Sequence, residues 1–495
     1  KRIDDFTVVV NAGTSLSDNS SDLLGYGGPI RDTGVPNVFN VFDLDNAKKR
    51  TTQEGWEEMT QSIFASAEIG WKSMLYLTLT GRNDWASQLK GSNPTSFFYP
   101  SVGLSAVISE MVTLPKAIDY LKVRGSFSSV GTPYPRFLVQ PTYSYDPTKQ
   151  DWNAKTHYPI GKLKPERTDS WEIGVDGTFF KDFKVSGSFY YANTYNQTFD
   201  PKITVSSGYS TLYVQTGYVR NLGVEGLLSY GHTWRDFGWN SNFTFSWNKN
   251  KIVELVKDYV HPETGEIVNK DRLELKGLGY TKFILKEGGT LGDLYTNADF
   301  IRDDKGYIQI DKNGDVAKTD NLPDIKLGSV FPKANLAWNN SFSYKGIYAG
   351  FQLSARLGGI VYSATQAALD QYGVSEASAA ARDRGGVLVN GRSWVNAQQY
   401  YEIVATSSGL PQYYTYSATN LRLQEAHIGY TIPRKWLGNI CDINVSVVGR
   451  NLWMIYCKAP FDPESVATTS NYYQGIDYFM MPSTRNIGFN VKFNF

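Results

Sequence analysis

The sequence predicts an all-β chain, an antiparallel transmembrane β-barrel or a large part of one, with about 14 strands, short turns at one end and long loops at the other. Three observations carry this prediction. Side chains alternate between apolar and polar in segment after segment. The connections between those segments alternate between long and short. The composition is 14% aromatic, with Tyr 33, Phe 26 and Trp 12 beside 45 Gly, which suits strands, turns and an excess of interfacial side chains.

Fourteen alternating segments follow one another: Phe6 to Gly13, Thr60 to Gly70, Met74 to Arg82, Phe97 to Glu110, Leu121 to Val130, Ser170 to Phe180, Phe183 to Asn193, Gly217 to Thr233, Phe237 to Ile252, Lys333 to Tyr344, Ile347 to Leu357, Asn420 to Thr431, Asn444 to Asn451 and Arg485 to Phe495. Period-two alternation sends successive side chains to opposite faces of a strand. In the last segment Ile487, Phe489, Val491, Phe493 and Phe495 therefore share one face, and Gly488, Asn490, Lys492 and Asn494 the other. The same reading puts Phe243, Phe245, Phe351, Leu353, Phe489 and Val491 against lipid, with Asn242, Thr244, Gln352 and Asn490 toward a lumen.

Short connections lie at Trp71 to Ser73, Pro115 to Tyr120, Lys181 to Asp182, Arg235 to Gly238, Lys345 to Gly346 and Pro433 to Ile440. Long ones span Thr14 to Met59, Gly131 to Asp169, Val253 to Pro332, Gly358 to Thr419 and Leu452 to Thr484, with shorter members at Asn83 to Ser96 and Thr194 to Thr216. A soluble sandwich has no reason to keep this parity, because both of its ends meet the same solvent. An outer-membrane barrel does, with short periplasmic turns and long extracellular loops.

At 495 residues the chain exceeds the roughly 250 to 300 at which soluble cores divide, yet no linker or composition shift divides it. A net charge of +1 points to no nucleic-acid partner. No run of about 18 apolar residues is present, which excludes a spanning helix and leaves strands of about 9 to 11 residues open. The opening KRIDDFTVVV is a strand and not a signal peptide, so the N-terminus is expected to be processed or missing. Cys441 and Cys457, the two cysteines, would sit some 50 Å apart on an extended strand at about 3.3 Å per residue, too far for a disulfide.

Enzymatic signatures are absent from the sequence: none of His157, His232, His261 and His427 forms a zinc-binding pair, and no nucleophile elbow or phosphate loop occurs. No cofactor is expected. DKNGD places Asp311, Asn313 and Asp315 like the start of a calcium loop, but Val316 and Leu322 occupy the positions that would need Gly and a bidentate acid, so a polar turn is the better reading. Glu225 and Asp176 face the expected lumen and read as wall residues that hydrogen-bond neighbouring strands rather than as a hydrolytic pair.

TGRNDWASQLKGSNPTSFFYPSVGLSAVISE, KLKPERTDSWEIGVDGTFFKDFKVSGSFYYANTYNQ, LKEGGTLGDLYTNADFIRDDKGYIQIDKNGD, FPKANLAWNNSFSYKGIYAGFQLSARLGG and LRLQEAHIGYTIPRKWL, followed by VSVVGRNLWMI and PFDPE, resemble in order and spacing the SusC (SusC/RagA) family of TonB-dependent transporters of Bacteroidetes. The resemblance implies a 22-stranded barrel holding an N-terminal plug, a SusD-like lipoprotein as lid, energy from TonB, and a dimer of transporter–lid pairs as a possible assembly. Residues 1–495 look like the C-terminal part of that barrel, without plug, TonB box or N-terminal extension. A terminal Phe, here Phe495, resembles the signal read by the barrel-assembly machinery. The implied activity is import of an oligomeric nutrient, a glycan first and a peptide as the alternative. A passive porin or adhesin on a closed 14-stranded barrel is the reading from another class.

Aromatic residues in the expected outer loops are the candidate contacts for substrate or lid: Tyr143, Tyr145, Trp152, Tyr158, Trp394, Tyr400, Tyr401, Tyr413, Tyr414, Tyr472, Tyr473 and Tyr478. Such rings stack on sugar faces while their polar tips reach hydroxyls. They also anchor protein partners, or pack a loop against itself.

Overall fold

One antiparallel ladder of backbone hydrogen bonds, broken only by local bulges, joins the long strands into a single sheet, whether their side chains are apolar or not. The computed structural model describes residues 2–32, 38, 40–91, 95–138, 144–146, 151–153, 164–199, 214–260, 265, 267–279, 281–469 and 474–495. Its main sheet holds fourteen long strands: β1 (Phe6–Gly27), β2 (Arg50–Trp71), β3 (Leu75–Ala86), β4 (Phe97–Val107), β5 (Ile118–Thr132), β6 (Glu166–Phe179), β7 (Phe183–Phe199), β8 (Val214–Trp234), β9 (Phe237–Glu254), β10 (Ala334–Tyr344), β11 (Ile347–Leu357), β12 (Asn420–Ile432), β13 (Asp442–Cys457) and β14 (Asn486–Asn494). Each pairs with the next in chain order, and a two-residue stub, Arg2–Ile3, folds back on Phe6 and Thr7 at the edge of β1.

The parity of connections holds throughout. Turns of two or three residues join β2 to β3, β6 to β7, β8 to β9 and β10 to β11; residues 108–117 and 433–441 join β4 to β5 and β12 to β13 at the same end, and the longest segments leave the opposite end. Lys345 and Gly346 both take positive φ (46° and 91°), which matches the twist of the flanking strands in a two-residue hairpin. Among the described residues no ladder joins β1 to β14, so the sheet they form is open and a closed 14-stranded barrel is not seen.

Register carries the alternation across strands. Val185, Leu228, Phe243, Trp338, Leu353 and Leu423 lie side by side on β7 to β12, and in the neighbouring row stand Lys184, Ser229, Asn242, Asn339, Gln352 and Glu425. The first row belongs to the outer, lipid-facing surface, where Trp171 and Ile173 of β6 are also exposed. Near the short turns this surface carries an aromatic girdle in which Tyr230 packs on Phe183 and Trp239, and Trp239 stacks on Phe342. The Trp239 and Trp338 ring N–H groups donate to Asn340 and Ser241 (3.1 and 2.9 Å), as amphipathic rings do at a membrane interface.

Several boundaries differ from the sequence reading. The connection expected over Thr14 to Met59 is mostly strand, since β1 runs on to Gly27 and β2 begins at Arg50. On one face Val8, Val10 and Leu16 give way to Asp18, Ser20 and Asp22, so the apolar pattern ends partway along the ribbon while the pairing continues to Gly27. β4 stops at Val107, short of Glu110, because a helical turn follows at Ile108–Met111. β13 is twice the length of the expected Asn444 to Asn451, and Cys441 precedes it while Cys457 ends it, both as free thiols.

The largest departure lies in the long loops. Segments 255–333, 358–419 and 458–485 share one hydrophobic core that includes Phe283, Leu285, Leu294, Val330, Tyr362 and Tyr414. Within it stand a four-stranded sheet (Arg272–Lys276, Lys282–Lys286, Asp293–Thr296, Ile325–Ser329) and three helices, α1 (Ala364–Gln371), α2 (Glu376–Asp383) and α3 (Ala397–Val404). Ser363, Ser375 and Asn396 cap these helices with their side chains. The core is rooted on Val219 and Ile252, lumen-facing residues at the tops of β8 and β9. Where β10 has ended, Gly288 and Gly289 continue the ladder by bonding both backbone groups of Ile252 (2.8 Å each).

The last loop is fastened by charge. Arg422 of β12 is 4% exposed and holds Asp462 in a two-pronged pair (3.1 and 2.8 Å), with Glu464 3.3 Å away. Further along, Ile476–Asp477 pairs with Ile360–Ser363, and Asp477 accepts from Ser363 (2.5 Å) and Thr365 (3.0 Å). Burial pushes the Asp462 carboxyl up, but the bonds from Arg422 and the Glu464 N–H outweigh it and hold the carboxyl below its ordinary range.

Two outcomes are expected. Phe243→Arg should destabilise the assembled protein by about 2 to 4 kcal/mol and Asn242→Arg by much less, as read by urea unfolding in vesicles; equal costs would reverse the register. Asp462→Asn leaves the buried Arg422 with Glu464 as its one anionic partner and should cost about 3 kcal/mol. Because the folded carboxyl titrates below the unfolded one, the anchor is complete above about pH 4 and is lost as pH falls through the lower folded value. Protease sensitivity of 458–485 that rises only at strongly acid pH, and at neutral pH in Asp462→Asn, is the expected pattern; a rise between pH 8 and 5 in the native protein would contradict it.

Candidate functional site

Lumen-phase residues form a wall of charges and hydroxyls. Arg124 on β5 lies across Gly174 of β6 and reaches both Glu172 (3.1 Å) and Asp176 (3.8 Å). A Cβ at position 174 would stand 2.7 Å from that guanidinium, so only glycine lets it lie flat there. Asp176 also accepts from Ser186 on the next strand (2.6 Å). Glu225 shares with Arg124, Ser186, Thr244 and Asn335 the lining of a depression of about 400 Å³. Asp176 is thus a wall residue tied to the strands on either side, and Glu225 lines the same wall. Higher on the same face, Arg82 bridges Asp84 (2.7 Å) and Ser62 (2.8 Å), and Tyr99 donates to Asp84 (2.5 Å).

Above this wall leans the loop cap, and it separates the candidate aromatics by accessibility. Tyr414 is 4% exposed and donates to Asp370 (2.9 Å); burial, with the Asp370 carboxylate beside it, pushes its phenol far above the ordinary range. Tyr400 packs on Phe300 and edge-on to Tyr401, and burial pushes its phenol up to about 12. These two rings hold the cap together. Tyr401 lines a cleft of about 430 Å³ between α1, α2 and α3, with Asp370, Tyr372, Arg382 and Glu402 around it. Trp394, Tyr413 and Tyr478 are exposed, on the hairpin Ser393–Val395, at the end of the cap core and against Phe479 respectively.

Tyr145 and Trp152 are exposed and face each other edge-on across a two-stranded hairpin, centroids 5.3 Å apart. Tyr143, Tyr158, Tyr472 and Tyr473 lie outside the described residues. Phe495 follows β14 and is exposed. The structure therefore brings Tyr400, Tyr401, Tyr413 and Tyr414 together and leaves the Tyr145–Trp152 pair in a separate loop.

Sequence reasoning passed over Tyr372, 75% exposed at the end of α1, and the Arg124 and Arg82 clusters. Strand phase could have found the clusters, because Arg124, Glu172 and Asp176 all occupy lumen positions of adjacent strands. The cleft could not have been found that way, since it needs three helices to meet. At DKNGD the Asp311 carboxylate accepts from the backbone N–H groups of Asn313 and Asp315 (2.8 and 3.0 Å), the local bonds of a polar turn. Among the described residues no group of three or more His, Cys, Asp or Glu stands where it could hold a metal ion.

Comparison with known proteins accords with this architecture. The TonB-dependent receptor P3 of Formosa agariphila is 24% identical over 464 residues, 87% of this chain and 45% of that protein. The TonB-dependent receptor SusC of Bacteroides thetaiotaomicron is 24% identical over 246 residues, 44% of this chain and 24% of its own. The chain thus spans about half the length, or less, of the curated relatives it matches. Among solved structures the RagAB peptide importer superposes with a TM-score of 0.74 at 16% identity, over all of this chain and 54% of that one, a likeness of fold. Residues 3–452 match the family described as TonB dependent receptor-like, beta-barrel, a family of outer-membrane transporters rather than enzymes, and the chain belongs to it.

Proposed function

We propose that this chain forms the C-terminal part of a TonB-dependent importer that carries an oligomeric nutrient, a glycan in preference to a peptide, across the outer membrane. The observation that carries the reading is the cap: three long loops fused over a polar lumen wall, presenting Tyr401, Trp394, Tyr413 and Tyr478 at clefts and edges. Rings with polar tips suit sugar faces and hydroxyls. The exposed pair Tyr145–Trp152 offers a second such surface.

The whole protein requires more strands than these. Unpaired backbone groups in hydrocarbon cost several kcal/mol each, and among the described residues the outer edge of β14 and, beyond the Arg2–Ile3 stub, that of β1 are free in the sheet. Further strands, with a plug and a TonB box, are proposed to precede residue 1 in a longer polypeptide, completing a 22-stranded barrel. A SusD-like lipoprotein is proposed as the lid over the cap, in a dimer of such pairs. No catalytic role is assigned to any residue.

Binding of the purified transporter–lid pair to panels of oligosaccharides and of peptides, followed by calorimetry, tests the substrate. Selective binding of peptides would overturn the preference for glycan. Tyr401→Ala is expected to weaken ligand binding at least tenfold while leaving surface level unchanged; unchanged affinity would remove the α1–α3 cleft from the pathway. Phe495→Ala, by contrast, should reduce the amount of assembled barrel in the outer membrane well below the native level while per-molecule uptake stays the same. A normal surface level for that variant would show the ending to be incidental.

A further inference from the structure

The outer surface changes character at the top of the apolar belt between β6 and β9. Ile173, Phe189, Val224 and Trp247 make a wholly apolar row across these four strands. One step toward the long loops stand Trp171, Tyr191, Leu222 and Lys249, and the next row holds Asp169, Asn193, Arg220 and Lys251. All keep the lipid-facing phase of their strands. The cations therefore project outward, just above an aromatic girdle, at the level of the lipid headgroups on the long-loop side.

Arg220 and Lys251 are direct cross-strand partners, an arrangement of like charges that destabilises a sheet unless something neutralises it. Arg220 donates to Tyr218 (2.5 Å) and Asn193 (3.3 Å) and lies near the Tyr191 ring (5.1 Å), all neutral groups. Among the described residues Arg220, Lys249 and Lys251 form no ion pair with a carboxylate. The neighbouring acid, Asp169, is already engaged by Ser129 (2.6 Å) and Arg167 (3.0 Å). At the opposite rim the pattern is reversed: Lys72 pairs with Asp5 (3.3 Å), Lys345 with Asp236 (3.7 Å) and Arg434 with Asp442 (3.1 Å).

We infer that Arg220, Lys249 and Lys251 form a binding site for the phosphate groups of an anionic lipid in the outer leaflet, with its acyl chains lying over Phe189, Val224 and Trp247. A guanidinium and two ammonium groups are the donors that phosphate esters take. Tyr191 and Trp171 mark the boundary between chain and headgroup. The cluster's place on the outer wall separates it from the lumen and from any cargo route. The inference rests on the orientation proposed above, with the long loops outside, but binding by purified protein is read without transport. Loss of import with lipid binding intact would therefore count against the proposed function alone.

The test is native mass spectrometry of the purified protein in micelles doped with diphosphorylated lipid A, against the same lipid stripped of phosphate and against inorganic phosphate. The native protein should retain the phosphorylated lipid, and Arg220→Gln/Lys249→Gln/Lys251→Gln should bind it at least tenfold more weakly, since each Lys or Arg at an anionic surface is worth about fivefold. A control triple at the other rim, Lys181→Gln/Arg235→Gln/Lys345→Gln, should stay within about twofold of native. Should the first triple fail to fold, Lys251→Gln alone is expected to lose about fivefold. Native affinity in the cluster variants, equal loss in the control, or inorganic phosphate competing as well as the lipid would each overturn the site.

Discussion

Hydrocarbon offers a backbone no hydrogen-bond partner, and the rest of this molecule follows from that constraint. Every N–H and C=O within the bilayer must find its mate in a neighbouring strand, so the chain crosses as a continuous antiparallel ladder and its turns must be tight on the side where little room is given. With the backbone settled, side chains divide by phase alone. Leu228, Phe243, Trp338 and Leu353 fall to lipid, and Ser229, Asn242, Asn339 and Gln352 to water, because one residue of slip would exchange the two sets.

Beyond the bilayer the governing force changes. There water can satisfy the backbone, and burial of apolar surface takes over as the organising term. The three large loops have therefore built what resembles the core of a soluble domain, with Phe283, Leu285 and Leu294 inside it and helices capped at their N-termini. Its attachment to the sheet is by specific bonds: Gly288 and Gly289 on Ile252, Asn250 accepting from Leu291 (3.0 Å), and the Arg422 clamp on Asp462. At that clamp the buried Arg422 is paired with Asp462 and Glu464.

The membrane-spanning part was legible because its rule is periodic. Phe6, Val8 and Val10 announce a strand by alternation, and all fourteen strands could be found that way. Their upper ends were not legible, since Asp18 to Tyr26 extend the ladder with side chains that carry no apolar phase. The cap was hidden for a different reason. Its core joins residues far apart in sequence, such as Val219, Phe283, Tyr414 and Ile476, and no local pattern records that meeting. For the same reason Tyr414, read from sequence alongside Tyr413 as a loop aromatic, lies inside the cap while Tyr413 lies at its surface.

The shared core of the cap also limits how this protein can diversify. Separate loops on a barrel can be exchanged one at a time, each carrying its own recognition surface to a new host. Here segments 255–333, 358–419 and 458–485 supply complementary parts of one interior, with Ile476 from the last packed beside Tyr362 from the second and Val330 from the first. A graft of any one from a relative would bring half of an interface whose other half stayed behind. New specificity in this lineage is therefore expected to arrive either by substitution of surface rings within an unchanged cap or by recombination that moves all three segments as a single cassette.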